Sequence, residues 1–293
     1  MAAQPPTPSA AIDFGGTVTD VVLRAAGRTD RLAAFPSVLE PRPADVERLL
    51  AEAARGSGGE TPAFLAVTGG RSHELPERIA GIPLVKVPEP VATAVGAMEC
   101  GAPSPAIVVS LGTGTGIVLA HPPAEPQRLV GSAVGGGTLL GLSRLLLGTT
   151  DVAEIGRLAA AGDVARCDLT VGDIIGGGVG PVSADATAAH FARIGRPGAE
   201  VPSKADLAAG LMNLIGQTAL RLAYEAVIAN AAHALVLVGH VLDVPGFREA
   251  IFRIPGMDPA FVRVPDDPGF AVARGALAVA TARLAGDDVP AGS

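Results

Sequence analysis

Residues with the chemistry of a phosphate site lie at two short turns of this 293-residue chain. The first turn, Gly15-Gly16-Thr17, is entered and left by apolar runs that favour β-strands, and so is the second, Gly112-Thr113-Gly114-Thr115. Glycines let backbone N–H groups approach a phosphate closely, and threonine hydroxyls add donors where a bulkier side chain does not fit. The pair of turns predicts two hairpins that grip a nucleotide from opposite sides, whereas one such turn is equally typical of an ordinary tight hairpin.

A carboxylate and a third glycine run complete the predicted phosphate site. Asp13 ends the strand before the first turn, where its hard oxygen atoms are suited to hold Mg²⁺ directly or through water. The run Gly135-Gly136-Gly137-Thr138 precedes an apolar helical stretch, so its free N–H groups are predicted to form a further anion site. Phosphoryl transfer depends on phosphate positioning, a metal and charge neutralisation, and these residues therefore indicate the phosphates of a nucleotide and Mg²⁺ as ligands.

The composition argues against several other classes of protein. The net charge is −7, whereas a nucleic-acid partner requires clustered Lys and Arg. Lys86 and Lys204 are the only lysines of the sequence, and neither follows the glycine pattern of a P-loop. The sequence has no apolar run of the roughly 18 residues that span a membrane, and its start does not resemble a secretory signal. We therefore expect a cytoplasmic protein with neither nucleic acid nor membrane as a partner.

Apolar periodicity divides the chain into two similar halves. Each half begins with a strand, a glycine turn and two more strands, which indicates an internal duplication. We predict an α/β protein with an N-terminal domain over residues 10–102 and a C-terminal domain over residues 103–286. The longest helix is predicted over Lys204–Asn230 with Ser203 as its N-cap, and a short helix over Glu74–Ala80.

With these motifs identified, the chain resembles the type II pantothenate kinases, a family within the sugar kinase, Hsp70 and actin superfamily. The resemblance extends from about Ala11 to Leu284. It implies a two-domain, duplicated ribonuclease H-like (actin-like ATPase) fold with ATP and Mg²⁺ in the interdomain cleft. It also implies a homodimer, with coenzyme A or an acyl-CoA as a candidate regulator. Segments that carry the resemblance include Asp13–Thr19, Thr68–Gly70, Ser110–Thr115, Arg128–Leu142 and Val236–His240.

The same resemblance assigns roles to three further residues. Glu89 matches the base that acts on the pantothenate hydroxyl, and the alternative is an acidic residue that favours a helix N-terminus. Arg128 matches the arginine that binds substrate and supports the transition state beside the catalytic Asp13, and the alternative is a surface arginine. Gly239 matches the turn that contacts adenosine, where we expect the side chain of His240 to be incidental.

Two departures from the family pattern leave the reaction open. Asp20 stands where many members have a lysine, and Gly116 stands where they usually have a serine. A carboxylate at position 20 is expected to repel a triphosphate unless a metal or an arginine intervenes. The leading hypothesis is ATP-dependent phosphorylation of the primary hydroxyl of pantothenate, or of a related pantoyl or pantetheine compound, in the coenzyme A pathway. The alternatives are a family offshoot with a different specialised-metabolite acceptor and a catalytically silent nucleotide-binding protein.

Overall fold

Two large β-sheets, one from each half of the chain, form the framework of the described part of the protein. The computed structural model describes residues 7–25, 30–55, 60–180, 182–252 and 258–286. The strands found there are β1 Ser9–Phe14, β2 Val18–Arg24, β3 Arg31–Pro36, β4 Leu65–Thr68, β5 Arg78–Ile79, β6 Ile82–Lys86, β7 Ala106–Leu111, β8 Thr115–Ala120, β9 Gln127–Ser132, β10 Leu169–Thr170, β11 Thr187–Ala189, β12 Ala234–Val238 and β13 Val262–Arg263.

Helices cover both sheets. Those in the described ranges are α1 Pro43–Ala53, α2 Glu89–Met98, α3 Gly136–Leu146, α4 Val152–Ala160, α5 Val171–Ile175, α6 Lys204–Ala229, α7 Phe247–Phe252 and α8 Ala271–Ala285. Short 3₁₀ turns lie at Ser72–Glu74, Val164–Arg166, His240–Asp243, Pro259–Phe261 and Pro268–Phe270. None of the described helices combines the length and the apolar character that crossing a membrane requires.

The first sheet has the strand order β3-β2-β1-β4-β6-β5 and forms, together with α1, the first lobe. β1 pairs antiparallel with β2 and parallel with β4, so Asp13 lies between Asp20 on one neighbour and Thr68 on the other. β1 is apolar along almost its whole length because α1 covers one face of the sheet and α2 and α8 cover the other. The polar Asp13 therefore lies near the end of an otherwise buried strand.

The second sheet has the order β13-β12-β7-β8-β9 and forms, together with α3, α4, α6 and α7, the second lobe. β7 pairs antiparallel with β8 and parallel with β12, which repeats the arrangement of β1 with β2 and β4. α6 packs on one face through buried residues such as Leu211 and Ile215, and α2 lies against the other face. This repetition confirms the predicted duplication and the α/β fold.

α2 and α8 connect the lobes and cross each other in close contact. α8 follows the second sheet in the chain but packs on β1 and β4, while α2 also contacts β7, β8 and β12. A Cβ atom added to Gly96 would lie 1.8 Å from the carbonyl oxygen of Ala271, so the helices approach this closely only with glycine there. The domain ranges 10–102 and 103–286 stay a prediction, and α8 places the end of the second range on the first sheet.

Two local predictions had opposite outcomes. The longest helix is confirmed, since α6 begins at Lys204 and the Ser203 hydroxyl accepts a hydrogen bond from the backbone N–H of Asp206. The short helix predicted over Glu74–Ala80 is wrong. Leu75 is extended, as residues before a proline tend to be, and the chain continues into β5, which pairs with β6.

Candidate functional site

A cleft with a cavity of about 450 Å³ lies between the two lobes and contains most of the residues that the sequence singled out. Asp13 and the first glycine-threonine turn line it from the first lobe, and Glu89 lines it from the first residue of α2. Arg128 lines it from β9 of the second lobe. The remaining predicted residues that line the cleft are Gly15, Gly16, Thr17, Gly112, Thr113, Gly114, Thr115, Gly136 and Gly239.

The two glycine-threonine turns face each other across the mouth of the cleft. The hydroxyl oxygens of Thr17 and Thr113 are 2.8 Å apart and share a hydrogen bond. The Ser37 hydroxyl donates to the carbonyl oxygen of Gly15 at 2.8 Å, which fixes the first turn against the segment after β3. The sequence predicted each turn, and the tertiary structure brings the two together as that prediction required.

The glycine run before α3 differs from the prediction. The backbone N–H groups of Gly136 and Gly137 donate to the carbonyl oxygens of Gly112 and Thr113, at 2.8 and 2.9 Å. The N–H of Gly135 donates to the Thr138 hydroxyl at 3.3 Å. The expected free N–H groups are therefore already bonded at these three glycines, and the start of α3 fastens the second turn instead. Of the four residues in this run, Gly136 lines the cleft.

Asp13 lies close to the backbone of the neighbouring turn. A Cβ atom added to Gly69, the residue after β4, would lie 2.3 Å from Asp13 Oδ1, so the backbone of that turn closely approaches the carboxylate. Desolvation raises the pKa of Asp13 to about 8, and the negative charges of Glu89 and Asp20 add to this rise, while His240 opposes it. A cation bound in the cleft would relieve this crowding of negative charge.

Asp20 is not free to repel a nucleotide, which corrects the expectation from the sequence. Its side chain is 6% exposed, and Oδ1 lies 2.8 Å from His240 Nε2 of the second lobe. His240 Nδ1 lies 2.8 Å from Asp243 Oδ2. Burial lowers the pKa of His240, but its hydrogen bonds to the two carboxylates outweigh burial and raise that pKa to about 10. His240, expected to be incidental, carries the positive charge that compensates Asp20.

Sequence reasoning missed the apolar wall of the cleft. Leu139, Leu140, Val241 and Val244 line the cavity from α3 and from the segment after β12. Their types and spacing are those of ordinary core residues, so no local signal distinguishes them from the rest of the core. A cleft with an apolar wall and a few convergent polar groups is typical of small-molecule sites.

Comparisons with known proteins agree with this geometry. A model of the Fumble family matches residues 92–245, which is more than half of the chain. The type II pantothenate kinase of Oceanobacillus iheyensis is 32% identical over 182 residues, which are 60% of this chain and 66% of that relative. The type II pantothenate kinase of Bacillus anthracis is 28% identical over 229 residues, 74% of this chain and 80% of that relative.

Solved structures support the fold. An activator of the 2-hydroxyisocaproyl-CoA dehydratase from Clostridium difficile, solved with bound ADPNP, matches with a TM-score of 0.65 at 16% identity, over 96% of this chain and 97% of that one. This likeness confirms the actin-like ATPase fold. The sequence matches confirm the resemblance to type II pantothenate kinases, although the match to the Oceanobacillus protein spans just under two thirds of that relative.

Proposed function

Because this chain belongs to the Fumble family, we propose that it is an ATP-dependent kinase that phosphorylates the primary hydroxyl of pantothenate or of a related pantoyl or pantetheine compound. The observation that carries the proposal is the meeting of Asp13, Glu89 and Arg128 with both glycine-threonine turns in one cleft. These residues come from both lobes, and they supply the kinds of group that phosphoryl transfer requires.

Asp13 is the residue proposed to hold Mg²⁺. Its oxygen atoms are of the type that Mg²⁺ prefers, and the residue lines the cleft. Burial is the main cause of the raised pKa of Asp13, and the nearby carboxylates of Glu89 and Asp20 add to it a surplus of negative charge that a cation would offset. Mg²⁺ bound there would neutralise phosphate charge during transfer.

The two turns are proposed to hold the phosphate groups of ATP. Gly16 and Thr17 lie on one side of the mouth, and Thr113 lies on the other within hydrogen-bonding distance of Thr17. Their hydroxyl groups, which bond to each other in this structure, are the donors that a polyphosphate entering between the lobes would take over. The bonds from Gly136 and Gly137 hold the second turn in place for that contact.

Glu89 and Arg128 are proposed to act on the acceptor. Glu89 is the first residue of α2, preceded by Pro88, so its backbone is fixed at the edge of the cleft. We infer that its carboxylate accepts the proton of the attacking hydroxyl. Arg128 lies across the cleft on β9, where its guanidinium is suited to pair with the transferred phosphate or with an acceptor oxygen.

A coupled assay of ADP release tests this function. With ATP, Mg²⁺ and pantothenate we expect turnover that Glu89→Gln lowers by about 10²- to 10⁴-fold, the usual contribution of a general base, while ATP binding measured by calorimetry is retained. The matched control is Glu47→Gln on the exposed face of α1, which should leave turnover unchanged. Intact ATP binding without turnover on any pantothenate analogue would refute the proposed acceptor.

A different acceptor is a second candidate, and Gly116 favours it. A Cβ atom added to Gly116 would meet nothing within 4 Å, so the cleft has more room there than a family member with a serine offers. A screen of alcohol metabolites with product mass spectrometry would separate the two candidates. Turnover of pantothenate at the highest kcat/KM in the panel favours the first, and a clear preference for another alcohol favours the second.

Three further proposals concern the setting of the activity. We propose a cytoplasmic homodimer that uses the exposed Tyr224 and Ile228 of α6 as part of its contact. Light scattering on a sizing column should then give twice the chain mass.

We also propose coenzyme A or an acyl-CoA as a regulator, and adding acetyl-CoA to the ADP assay should lower turnover.

A further inference from the structure

We propose that Asp20 and His240, which both line the cleft, form a pin that joins the two lobes and sets the separation of the two glycine-threonine turns. Asp20 belongs to β2 of the first lobe, and His240 follows β12 of the second lobe, 220 residues later in the chain. The pin consists of the 2.8 Å contact between His240 Nε2 and Asp20 Oδ1. It is distinct from the residues proposed to act on ATP and on the acceptor.

The imidazole ring is fixed from several directions. His240 Nδ1 lies 2.8 Å from Asp243 Oδ2, so both ring nitrogens form hydrogen bonds with carboxylates. The ring of Phe270 meets the imidazole edge-on, with centroids 5.3 Å apart and planes at 80°. Gly269 packs so closely that an added Cβ atom would lie 2.3 Å from the imidazole. Because the ring is held rigidly, a shift of one lobe at Asp20 would be passed on to the second lobe at His240.

Each end of the pin is attached to one of the phosphate turns. Asp20 lies on β2, which starts at Val18 directly after the first turn. His240 follows Gly239, and a Cβ atom added to Gly239 would lie 2.3 Å from the carbonyl oxygen of Leu111, the residue before the second turn. A change in the distance between Asp20 and His240 would therefore move the two turns relative to each other.

Because it is largely buried, the pin costs more free energy to break than the contact at the mouth of the cleft. The Asp20 side chain is 6% exposed, and removing one partner of a buried ion pair leaves the other charge uncompensated. Thr17 and Thr113 share a neutral hydrogen bond at an exposed position. We infer that the lobes open at the threonine contact and stay joined at the pin.

The existence of the pin does not depend on the reaction, whereas its effect on catalysis rests on the proposed kinase function. The test therefore has one measurement without nucleotide and one with it. Spin labels at Glu47→Cys on α1 and Arg157→Cys on α4 report the distance between the lobes by pulsed electron resonance, in a Cys100→Ser background in which the buried Cys167 stays unlabelled.

Without nucleotide, we expect Asp20→Asn and His240→Gln each to broaden the distribution of distances between the labels. The double variant should broaden it no further, because both changes break one contact. The matched control is His233→Gln, at an exposed histidine on the second lobe away from the cleft, which should leave the distribution narrow. If Asp20→Asn and His240→Gln match that control, the pin is refuted.

With ATP and acceptor, we expect Asp20→Asn to lower kcat by about 10²-fold, the cost that a 1 Å misplacement of the phosphate turns can carry, with little change in KM for the acceptor. Broadened distances together with absent kinase activity in the unsubstituted protein would keep the pin and refute the function. If the distances in the variants stay unchanged and the unsubstituted protein is an active kinase, the pin is refuted and the function is kept.

If Asp20→Asn or His240→Gln does not fold, two milder substitutions test the pin instead. Asp243→Asn removes the half-exposed partner of the ring and should broaden the distribution less than loss of Asp20. Asp20→Glu retains the charge and should retain the narrow distribution. If Asp243→Asn leaves the distances unchanged, or if Asp20→Glu broadens them more than Asp243→Asn does, the pin is refuted.

Discussion

Burial, and after it the charges of neighbouring residues, raises the pKa of Asp13. Glu89 and Asp20 crowd it with negative charge, while His240 supplies a compensating positive charge from the other lobe. Among the described residues that line the cleft, Arg128 and His240 provide the basic side chains. From this balance we expect ligands that arrive with a divalent cation to be favoured over naked polyphosphate. The tight turn at Gly69 then controls where the Asp13 carboxylate points.

A substitution at Gly69 tests this control. Gly69→Ala adds a Cβ atom 2.3 Å from Asp13 Oδ1 at a residue with φ of +73°, so we expect a large loss of Mg²⁺-dependent activity and a loss of stability. Gly81→Ala is the control, because Gly81 has φ of +83° but nothing within 4 Å of the added atom. Both variants should lose about 1–2 kcal/mol of unfolding free energy to the left-handed backbone. Equal loss of activity in the two would contradict the role of Gly69.

The pair of Asp20 and His240 predicts a stability that falls in alkaline solution. The pKa of His240 is raised to about 10 in the folded protein by Asp20 and Asp243, from an ordinary value of 6.5 in the unfolded chain. The stabilisation is therefore fully present below pH 6.5 and is lost as the pH rises through 10. Asp13, with its pKa raised to about 8, also lowers stability as the pH rises to 8, and the buried Cys167 thiol, with its pKa raised from 9.0 to about 11, lowers it as the pH rises from 9 to 11. Only the part of the fall that His240→Gln removes therefore belongs to the histidine.

Urea unfolding at a series of pH values provides the measurement. We expect the unfolding free energy of the unsubstituted protein to fall between pH 8.5 and 10, and His240→Gln to make that slope shallower while the part due to Cys167 remains. His233→Gln serves as the control for loss of a histidine and should keep the slope. A slope as steep in His240→Gln as in the unsubstituted protein would contradict the contribution of the histidine.

At the scale of elements, the crossing of α2 and α8 decides how the lobes are joined. The two helices touch backbone to backbone, because Gly96 and Gly275 leave no side chain between them. α2 begins with Glu89 at the cleft and ends near the second sheet, while α8 begins beside Phe270, which packs on His240. The crossing and the pin are thus neighbouring parts of one connection between the lobes.

Gly96→Ala tests the crossing. The added Cβ atom would lie 1.8 Å from the carbonyl oxygen of Ala271, so the helices must separate, and we expect a loss of about 1–3 kcal/mol of unfolding free energy or more. Gly141→Ala is the control, since Gly141 lies in α3 with nothing within 4 Å. Better helix propensity should stabilise that variant by up to about 1 kcal/mol. Chemical denaturation of both measures the contrast, and a neutral Gly96→Ala would contradict the close packing.

At the scale of the whole molecule, a ligand in the cleft contacts both lobes and therefore links their stabilities. Residues from both sheets line the same cavity, and the turns that face each other belong to different lobes. A nucleotide that contacts both turns stabilises the folded state against unfolding of either lobe. Ligand binding should therefore be visible as a shift of one cooperative unfolding transition.

Thermal unfolding with Mg²⁺ and ATP measures this coupling. At a nucleotide concentration of about 100 times Kd, we expect a gain of about 2.7 kcal/mol and a higher Tm. Thr113→Val removes a donor from the second turn and should reduce the gain at the same ATP concentration. Thr61→Val, at an exposed threonine outside the cleft, is the control and should keep the full shift. Absence of any shift in the unsubstituted protein would argue against nucleotide binding.

The local parts of the site follow from the sequence with little help from the rest of the fold. The strands around Gly15–Thr17 and Gly112–Thr115 match the apolar runs that predicted them, because neighbouring residues encode strand and turn preferences. The same holds for Ser203 and α6. The Glu74–Ala80 prediction went wrong where Pro76 outweighed helix propensity.

By itself, the sequence determined most of the strands and helices, the duplication and the glycine-threonine turns, since each of these depends on the residues of a short stretch of chain. Only the tertiary structure decided that Asp20 pairs with His240, that Gly136 and Gly137 use their N–H groups on the second turn, and that Gly96 meets α8. These contacts join residues that are far apart in the chain or in separate elements. Such residues come together only when whole lobes pack, and a local pattern of residue types does not predict which distant residues will be in contact.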